Sequence, residues 1–476
     1  MRQTFLLERV GDETRLAVIE DDRLCELYIH RPGSDDAAGS VWLGRVENNV
    51  PGLNAAFVDI GAEKKGFLDA GDAPDGRLPR PGQAVMVQVS KVQSGQKGHR
   101  LTGRVTLPGR ALALLPGQRS AGVSKKIANP DERERLRNIA AALTEGSDMG
   151  VILRTASAGM PEAALRREYA ALVEQWRRIE QRAAHAMPPA PLFDNDSLPL
   201  RVARDMLTDD VDAVWVEGEA LFDEVGGWID LYVPEKAGLL KRHDGATPLY
   251  DLYRVDSQLE KALRKYVWLK SGGSLVIEET EAMTVIDVNT GKFTGAGNLE
   301  DTIFRINCEA AEEIARQLRL RNIGGIVIVD FIDMADAGRN EALLDRLREL
   351  AKADRSRLTV VGMTGLGLVE LTRKKARRPL SKQLMHVCPA CGGDGVAPSH
   401  ETVARRAARD IWRRRRAGGE GALLIEAEGG VIARLKALNA PEGVAVYLKT
   451  SRAQSGAYEI SPADAAHPPE GTQRWK

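Results

Sequence analysis

Apolar and polar residues alternate over short stretches in the first third of the chain, and this pattern predicts strands. Alternation in residues 1–31 predicts a few short strands, and about five more apolar stretches follow within residues 39–103. Gly, Asn and Pro turns separate the second group, which predicts a small closed barrel of the OB type. Residues 31–39, rich in Pro, Gly, Asp and Ser, predict the boundary between the two groups.

Beyond the barrel, the pattern changes to a mixture of helices and strands. Residues 131–143 and 161–187 have helical character, and residues 150–155 predict a buried strand. Residues 199–240 return to short elements. We expect them to complete the fold that residues 1–31 begin, so that the barrel is an insertion.

The clearest periodicity lies between residues 255 and 390. We predict helices over 255–269 and 299–320, and strands over 274–279, 283–288, 325–333 and 358–361. A strand, a long amphipathic helix and a second strand predict a parallel pair joined by a right-handed crossover.

Two aspartates occupy comparable places on the strands of this crossover. Asp287 is near the end of its strand and Asp330 is well inside the next, so parallel pairing brings both carboxylates to one sheet edge. Two carboxylates and water suit Mg²⁺, which lowers the pKa of its water. Asn289 shares the face of Asp287 and is expected to orient a phosphate, whereas Asp333 is a weaker third candidate. The alternative is one buried, ion-paired aspartate and one turn aspartate.

Cysteines supply a second candidate site. Cys388 and Cys391 form C-P-A-C before a run of glycines, which is typical of a zinc knuckle, whereas Cys25 and Cys308 have no such context. Two thiolates are half of a structural zinc site. Either His386 adds a third ligand or a second copy of the chain completes four thiolates. A redox pair and two free thiols are the alternatives.

Two pairs of residues carry weaker signals. Phe57 and Phe67 can stack on bases beside Lys97, or they can belong to the barrel core. Arg154 and Thr155, at a predicted strand end, suit a terminal phosphate, because a guanidinium and a hydroxyl both donate hydrogen bonds to it.

Composition adds little to this assignment. Lys+Arg and Asp+Glu both number 67, so only local patches bear on nucleic-acid binding. Arginines and lysines in 373–378 and 405–416 either neutralise phosphates or form solvated helix faces. No apolar run approaches the roughly 18 residues of a membrane span, the N-terminus lacks a signal-peptide pattern, and the few cysteines fit a reducing cytoplasm. We therefore expect a cytoplasmic protein without membrane insertion.

Taken together, these motifs resemble the catalytic half of the bacterial RNase E/RNase G family. The resemblance runs from the N-terminus to about residue 396. The strings that carry it are residues 52–59, 286–289, 315–321, 324–334 and 388–395. The long scaffold region of RNase E is absent, so the chain is more similar to RNase G, and degradosome partners are not indicated.

The resemblance implies a multidomain α/β (α+β) fold with five parts. These are an RNase H-like domain (1–38 plus 199–262), an inserted OB-fold RNA-binding barrel (39–103), a 5′-phosphate-sensing domain (104–198), a DNase I-like catalytic domain (263–385) and a zinc-link hairpin (386–396). Composition, and not the resemblance, predicts a small C-terminal region (397–476) with a disordered tail rich in Pro, Gly and Asp.

The resemblance also assigns roles to the candidate residues. It places the catalytic magnesium at Asp287 and Asp330 with Asn289, RNA contacts at Phe57, Phe67 and Lys97, a 5′-monophosphate pocket at Arg154, Thr155 and Gly109, and the structural zinc at Cys388 and Cys391 of two protomers.

The implied activity is magnesium-dependent endonucleolytic cleavage of single-stranded RNA, stimulated by a 5′-monophosphate and leaving 5′-phosphate and 3′-hydroxyl ends. Ribosomal RNA precursors and mRNA are the implied substrates. A homodimer joined by zinc is expected, with a tetramer as the alternative. A non-catalytic RNA-binding protein that keeps the fold is the rival function. Two features depart from the family pattern: Gly365-Leu366 replaces an Arg-Phe pair of some members, and residues 396–476 match poorly.

Overall fold

The structure, a computed structural model, falls into two compact units, Met1–Gln383 and Leu384–Lys476. It describes residues 2–31, 38–91, 98–290, 299–375, 377–388, 391, 393, 395–417, 421–438, 440, 444–451 and 457–475.

The first sheet combines the start of the chain with a much later segment. Its strands are β1 (Gln3–Val10), β2 (Glu13–Glu20), β3 (Arg23–His30), β14 (Val211–Glu217) and β15 (Leu240–His243), in the order β15-β14-β1-β2-β3. Helices α3 (Leu198–Arg201) and α4 (Glu219–Tyr232) contribute to its core. Only short elements were expected around α4. Its buried Leu221, Val225 and Ile229, each four residues from the next, explain why this segment is helical.

The second sheet closes on itself as a barrel. Strands β4 (Val41–Val50), β5 (Ala55–Asp59), β6 (Gly66–Asp69), β7 (Ala84–Lys91) and β8 (Arg100–Thr102) pair in the order β4-β5-β6-β8-β7, and β7 pairs again with β4. Strand β13 (Ala190–Phe193) adds to β4 from outside. A closed barrel of five strands is confirmed, and it fits the expected OB type.

A third sheet follows the barrel. Its strands are β9 (Leu107–Pro108), β10 (Leu112–Leu115), β11 (Ala121–Val123) and β12 (Gly150–Leu153), in the order β11-β12-β10-β9. Two helices, α1 (Pro130–Thr144) and α2 (Glu162–His185), bury their apolar faces against it. Asn129 caps α1, because its side chain accepts hydrogen bonds from two backbone amides of the first turn.

The fourth sheet has six strands. These are β16 (Tyr266–Trp268), β17 (Ser274–Glu279), β18 (Met283–Asn289), β19 (Gly325–Asp330), β20 (Leu358–Met363) and β21 (Val369–Arg373), in the order β16-β17-β18-β19-β21-β20. Strands β18 and β19 run parallel, as predicted, and the other neighbours are antiparallel. Helices α7 (Leu299–Leu320) and α8 (Ala337–Ala351) cover one face of the sheet.

The helix predicted over 255–269 is wrong in its second half. Two short helices, α5 (Leu249–Leu252) and α6 (Val255–Ala262), precede the sheet, and the chain then enters β16. The apolar spacing of 255, 259 and 262 is helical, but Tyr266, Val267 and Trp268 are β-branched or aromatic residues that pair with β17.

A buried ion-pair cluster joins α7 to the first sheet. The guanidinium of Arg319 donates to Glu20 at 2.6 and 2.9 Å and to Glu26 at 2.8 and 3.1 Å. Burial alone would raise the pKa of Glu20, but the hydrogen bonds and charge of Arg319 outweigh it and hold the pKa below its ordinary value. Arg319, near the end of α7, therefore has a structural role.

The second unit, which begins near α9 (Leu380–Leu384), folds around its own core. Helices α10 (His400–Arg416) and α11 (Gly429–Lys436) pack on a sheet of four strands, β22 (Ala422–Ala427), β23 (Val446–Thr450), β24 (Tyr458–Ala463) and β25 (Gln473–Arg474). A disordered tail was expected here. That expectation is wrong for the described residues, since Trp475 at the end of the chain is 4% exposed within this core.

Candidate active site

Strand alternation places the three predicted catalytic residues on the open face of the fourth sheet. Ile286 and Val288 point into the core beneath α7 and α8, so Asp287 and Asn289 point away from it and are exposed. Asp330 ends β19 and is exposed beside buried Val329. The arrangement presents polar side chains at one sheet edge without burying them.

The same residues are adjacent across the strands. Asp287 lies directly opposite Asp330 in the parallel pair, so the two strands place them about 4.8 Å apart in the hydrogen-bonding direction. Asn289 donates from Nδ2 to Oδ2 of Asp287 at 2.7 Å. This contact leaves the other carboxylate oxygen and the amide oxygen for a ligand.

These oxygen donors fit magnesium better than zinc. Magnesium is commonly bound through one or two carboxylates, with waters and substrate phosphate completing an octahedron. Within the described part of the chain, no group of three His, Cys, Asp or Glu side chains is positioned to hold a metal ion. Asp333, the weaker candidate, lies beyond the end of β19 and does not complete such a group.

A buried asparagine, which the sequence analysis missed, fixes the segment after Asp330. Asn307 on α7 is fully buried; its amide donates to the carbonyl of Ile332 at 2.8 Å and accepts from the N–H of Ile332 at 3.1 Å. A signal was present in the sequence. Asn307 is a polar residue within the apolar stripe of α7, between Ile306 and Ala310.

In the barrel, Phe57 and Phe67 are partners across β5 and β6. Their ring centroids lie 6.0 Å apart at an interplanar angle of 73°, which is an edge-to-face contact. Both rings are partly exposed, and the barrel core is built from neighbouring residues such as Val58 and Leu68. The third predicted RNA contact, Lys97, lies outside the described residues.

The predicted 5′-phosphate residues lie together at the end of β12. The Arg154 guanidinium donates to the carbonyl of Gly109, and the hydroxyl of Thr155 is 3.2 Å from that of Ser124. The side chains of Arg154 and Thr155 are both exposed. They therefore present a cation and a hydroxyl to solvent at one place.

Glu168 shapes the loop that contains Gly109. Its buried carboxylate accepts from the N–H of Ala111 at 3.0 and 3.2 Å. Burial raises the pKa of Glu168, and hydrogen bonds from the loop amides offset this only in part. A Cβ at position 109 would lie 2.1 Å from Oε1 of Glu168, so this close approach requires glycine.

The two knuckle cysteines lie in the second unit. Cys388 is exposed, Cys391 is partly buried, and the amide of Gly395 donates to Sγ of Cys391 at 3.3 Å. Gly393 and Gly395 have positive φ values of 99° and 73°, which the tight turn requires. Among the described side chains, His386 does not complete a group of three ligands with the two cysteines.

The first basic cluster, 373–378, is only partly available to phosphates. Arg373 is buried and donates to Asp354 at 2.7 and 3.0 Å, and Arg377 covers the ring of Tyr28 with its guanidinium carbon 3.7 Å from the centroid. Both arginines are therefore structural. The arginines of 405–416 lie on α10, where Arg405 and Arg413 pair with acidic residues of the same helix.

Comparison with known proteins identifies relatives that match most of the chain. The sequence profile of the ribonuclease E/G family matches residues 106–376. Ribonuclease G of Escherichia coli (strain K12) is 38% identical over 92% of this chain and 93% of its own length. Ribonuclease E of Nostoc sp. is 40% identical over 80% of this chain and 57% of its own length, and ribonuclease E of Escherichia coli (strain K12) is 34% identical over 85% and 40%. In the described ranges, no helix combines the length and apolar character that crossing a membrane requires.

Proposed function

Because this chain belongs to the ribonuclease E/G family, we propose that it is a magnesium-dependent endoribonuclease whose active site is formed by Asp287, Asn289 and Asp330. The observation that carries the proposal is the direct pairing of Asp287 with Asp330 on parallel strands, with Asn289 bonded to the first carboxylate. The relatives are named ribonucleases, which gives RNA as the substrate.

The three residues have two roles, which are binding of the metal ion and orientation of the substrate. Asp287 and Asp330 would hold the magnesium ion, and Asn289 would orient a phosphate oxygen or the carboxylate beside it. When bound, the ion supplies positive charge at the phosphate and a water of lowered pKa. The strands fix both carboxylates before substrate arrives, which limits reorganisation during the reaction.

The proposed reaction is hydrolysis of an internal phosphodiester. A water oxygen forms a bond to phosphorus, the bond from phosphorus to the 3′ oxygen breaks, the water loses a proton and the 3′ oxygen gains one. The products are a 5′-phosphate end and a 3′-hydroxyl end, and no oxidant or reductant is consumed. For the water to attack in line with the bond that breaks, the RNA must lie along the open face of the fourth sheet and not over α7 and α8.

Further residues would select and hold the strand. Phe57 and Phe67 supply partly exposed rings for base stacking, which typically contributes about 1–3 kcal/mol per base. Arg154 and Thr155 would bind a 5′-monophosphate beside Gly109 and so favour RNA with that end.

Zinc would join two copies of the chain. Cys388 and Cys391 supply two thiolates, and a second copy supplies the other two of a tetrahedral site. The hydrogen bond from Gly395 to Sγ of Cys391 suits a thiolate ligand. We propose a cytoplasmic homodimer that acts on precursors of ribosomal RNA and on mRNA; a tetramer is the alternative assembly.

The rival function, RNA binding without catalysis, is disfavoured because both aspartates are present and adjacent. The test is to incubate the purified chain with a single-stranded RNA, with Mg²⁺ or with EDTA, and to identify the product ends. We expect cleavage only with Mg²⁺ and products carrying a 5′-phosphate. RNA that binds but stays intact with Mg²⁺ would favour the rival.

The 5′-end preference needs its own comparison. Wild type should cleave 5′-monophosphate RNA about tenfold faster than 5′-hydroxyl RNA, and Arg154→Ala should remove the difference, since a charge-assisted pair contributes about 1.5–3 kcal/mol. Equal rates of wild type on both RNAs would refute the phosphate pocket and leave the nuclease assignment standing.

A further inference from the structure

Two exposed aromatic residues lie on the edge strand of the catalytic sheet. Trp268 is 73% exposed and Tyr266 is 57% exposed, both on β16. Tryptophan is usually well buried, and an apolar edge strand invites aggregation unless a function requires it. Packing within the described part of the chain therefore does not explain why Tyr266 and Trp268 occupy these exposed positions.

Strand register places both rings on the same face as the carboxylates. Tyr266 lies opposite Val276, which lies opposite Asp287, so these three residues form one row across the sheet. A second row joins Trp268 through Ser274 to Asn289 in the same way. Directly paired residues of neighbouring strands point to the same face.

The residue between the two rings confirms this orientation. Val267 packs against the core formed with α7 and α8, so its neighbours on β16 point to the opposite, open face. Two strand spacings separate β16 from β18, which puts Tyr266 and Trp268 about 10 Å from Asp287 and Asn289. A base near the cleaved phosphate is within reach of the rings at that distance.

Two lysines flank the aromatic strand, and one of them is ion-paired. Lys265 and Lys270 lie at the two ends of β16, and Nζ of Lys265 lies 5.9 Å from the ring centroid of Tyr266 while it pairs with the carboxylate of Glu278. Aromatic side chains beside cations are the usual platform for unpaired bases, because every base has a face that can stack.

We propose that Tyr266 and Trp268 form a base-stacking platform that holds a nucleotide flanking the scissile phosphate. This platform is separate from the barrel aromatics Phe57 and Phe67, and it acts at the cleavage site itself. It rests on the proposed chemistry at Asp287 and Asp330. Because it contacts a base and not the reacting atoms, it contributes to binding and to the choice of the cleaved bond.

The test combines protein variants with RNAs that lack one base. A single-stranded RNA with one cleavage site is prepared in intact form and with an abasic nucleotide at each flanking position in turn. Wild type should lose about 5- to 150-fold in kcat/KM at one flanking position, chiefly through KM. Trp268→Ala should show the same loss on intact RNA and no further loss at that abasic position.

Controls separate this effect from folding and from surface apolarity. Trp268→Phe keeps a stacking ring and should retain most of the affinity. Leu252→Ala removes another exposed apolar side chain, 54% exposed on α5, and should behave as wild type. Thermal unfolding should be unchanged in all three variants, because these side chains are exposed.

Three outcomes would overturn the platform. First, the combined loss in kcat/KM of Trp268→Ala on the abasic RNA could equal the product of the two separate losses, which would show that the ring and the base do not meet. A change in sedimentation of Trp268→Ala, without coupling to any base, would show that the face contacts a second copy. No loss at all would show that the rings have no part in RNA binding. Failure of the nuclease proposal looks different: wild type would then not cleave intact RNA with Mg²⁺.

Discussion

Asn307→Ala tests whether a buried amide on α7 positions Asp330. The side chain makes two hydrogen bonds, at 2.8 and 3.1 Å, to the backbone of Ile332, two residues after Asp330. Each lost hydrogen bond costs about 1 kcal/mol, and the backbone groups of Ile332, left without a hydrogen-bond partner or water, cost about 1–3 kcal/mol more. The expected loss in free energy of unfolding is therefore about 3–5 kcal/mol.

A functional effect should accompany the loss of stability. Residues that orient a metal ligand typically change metal affinity by about 10–100-fold when removed. We expect the Mg²⁺ concentration for half-maximal cleavage to rise by about tenfold in Asn307→Ala, with activity largely recovered at saturating Mg²⁺. Urea denaturation and Mg²⁺ titration of RNA cleavage measure the two effects.

Asn340→Ala is the matched control. Asn340 donates to the carbonyl of Met334 at 3.3 Å, a longer and single hydrogen bond in the same connection between β19 and α8. It should cost no more than about 1 kcal/mol and leave the Mg²⁺ titration unchanged. If Asn307→Ala lowers stability but the titration stays at its wild-type midpoint, Asn307 stabilises the fold without positioning the site.

Three further predictions concern stability, pH and assembly. Arg319→Met should lower the free energy of unfolding by about 3–5 kcal/mol, because the buried carboxylate of Glu20 loses the cation that Arg319 supplies. Substitution of an exposed arginine, Arg348→Met, should cost at most about 1 kcal/mol, and equal losses of the two variants in urea would contradict this. Burial raises the pKa of Glu8 from 4.5 to about 7, so the folded protein holds this proton more tightly than the unfolded chain does. The contribution of this proton to stability is therefore complete below pH 4.5 and is lost as pH rises through 7. The gain in Tm from Glu8→Gln should grow from about pH 5 to about pH 8, and a constant gain would refute the raised pKa. Replacing Cys388 and Cys391 with serine should remove bound zinc and yield monomers in sedimentation, and zinc-free dimers of the variant would disprove the shared site.

Local patterns predicted the parts of the fold in which one face is buried. The apolar stripe of α7 and the pattern of β18 gave their bounds closely, and the crossover gave the pairing of Asp287 with Asp330. The apolar run of β19 was predicted to reach residue 333, but the strand ends at Asp330, which is therefore its last residue and not well inside it. Strand periodicity also put Asn289 on the face of Asp287, and the hydrogen bond between the two side chains is a finding of the structure.

Local sequence patterns could not predict contacts between residues that are far apart in the chain. The ion pair of Arg319 with Glu20 joins residues 299 positions apart. The sequence made Arg373 a candidate phosphate contact, whereas the structure pairs it with the buried Asp354. The strand β16 was assigned to a helix because its neighbours have helical spacing, and sheet pairing overrides that preference. Its two exposed rings therefore went unnoticed in the sequence.

The most direct test of the central claim is the cleavage rate of Asp287→Asn and Asp330→Asn on single-stranded RNA at saturating Mg²⁺. Each substitution removes a negative ligand, and the lost charge stabilisation of several kcal/mol predicts at least about a 100-fold fall in kcat. Asp333→Asn, three residues beyond Asp330 and outside the pair, should cleave at nearly the wild-type rate. Wild-type rates for both Asp287→Asn and Asp330→Asn would contradict the assignment of the active site.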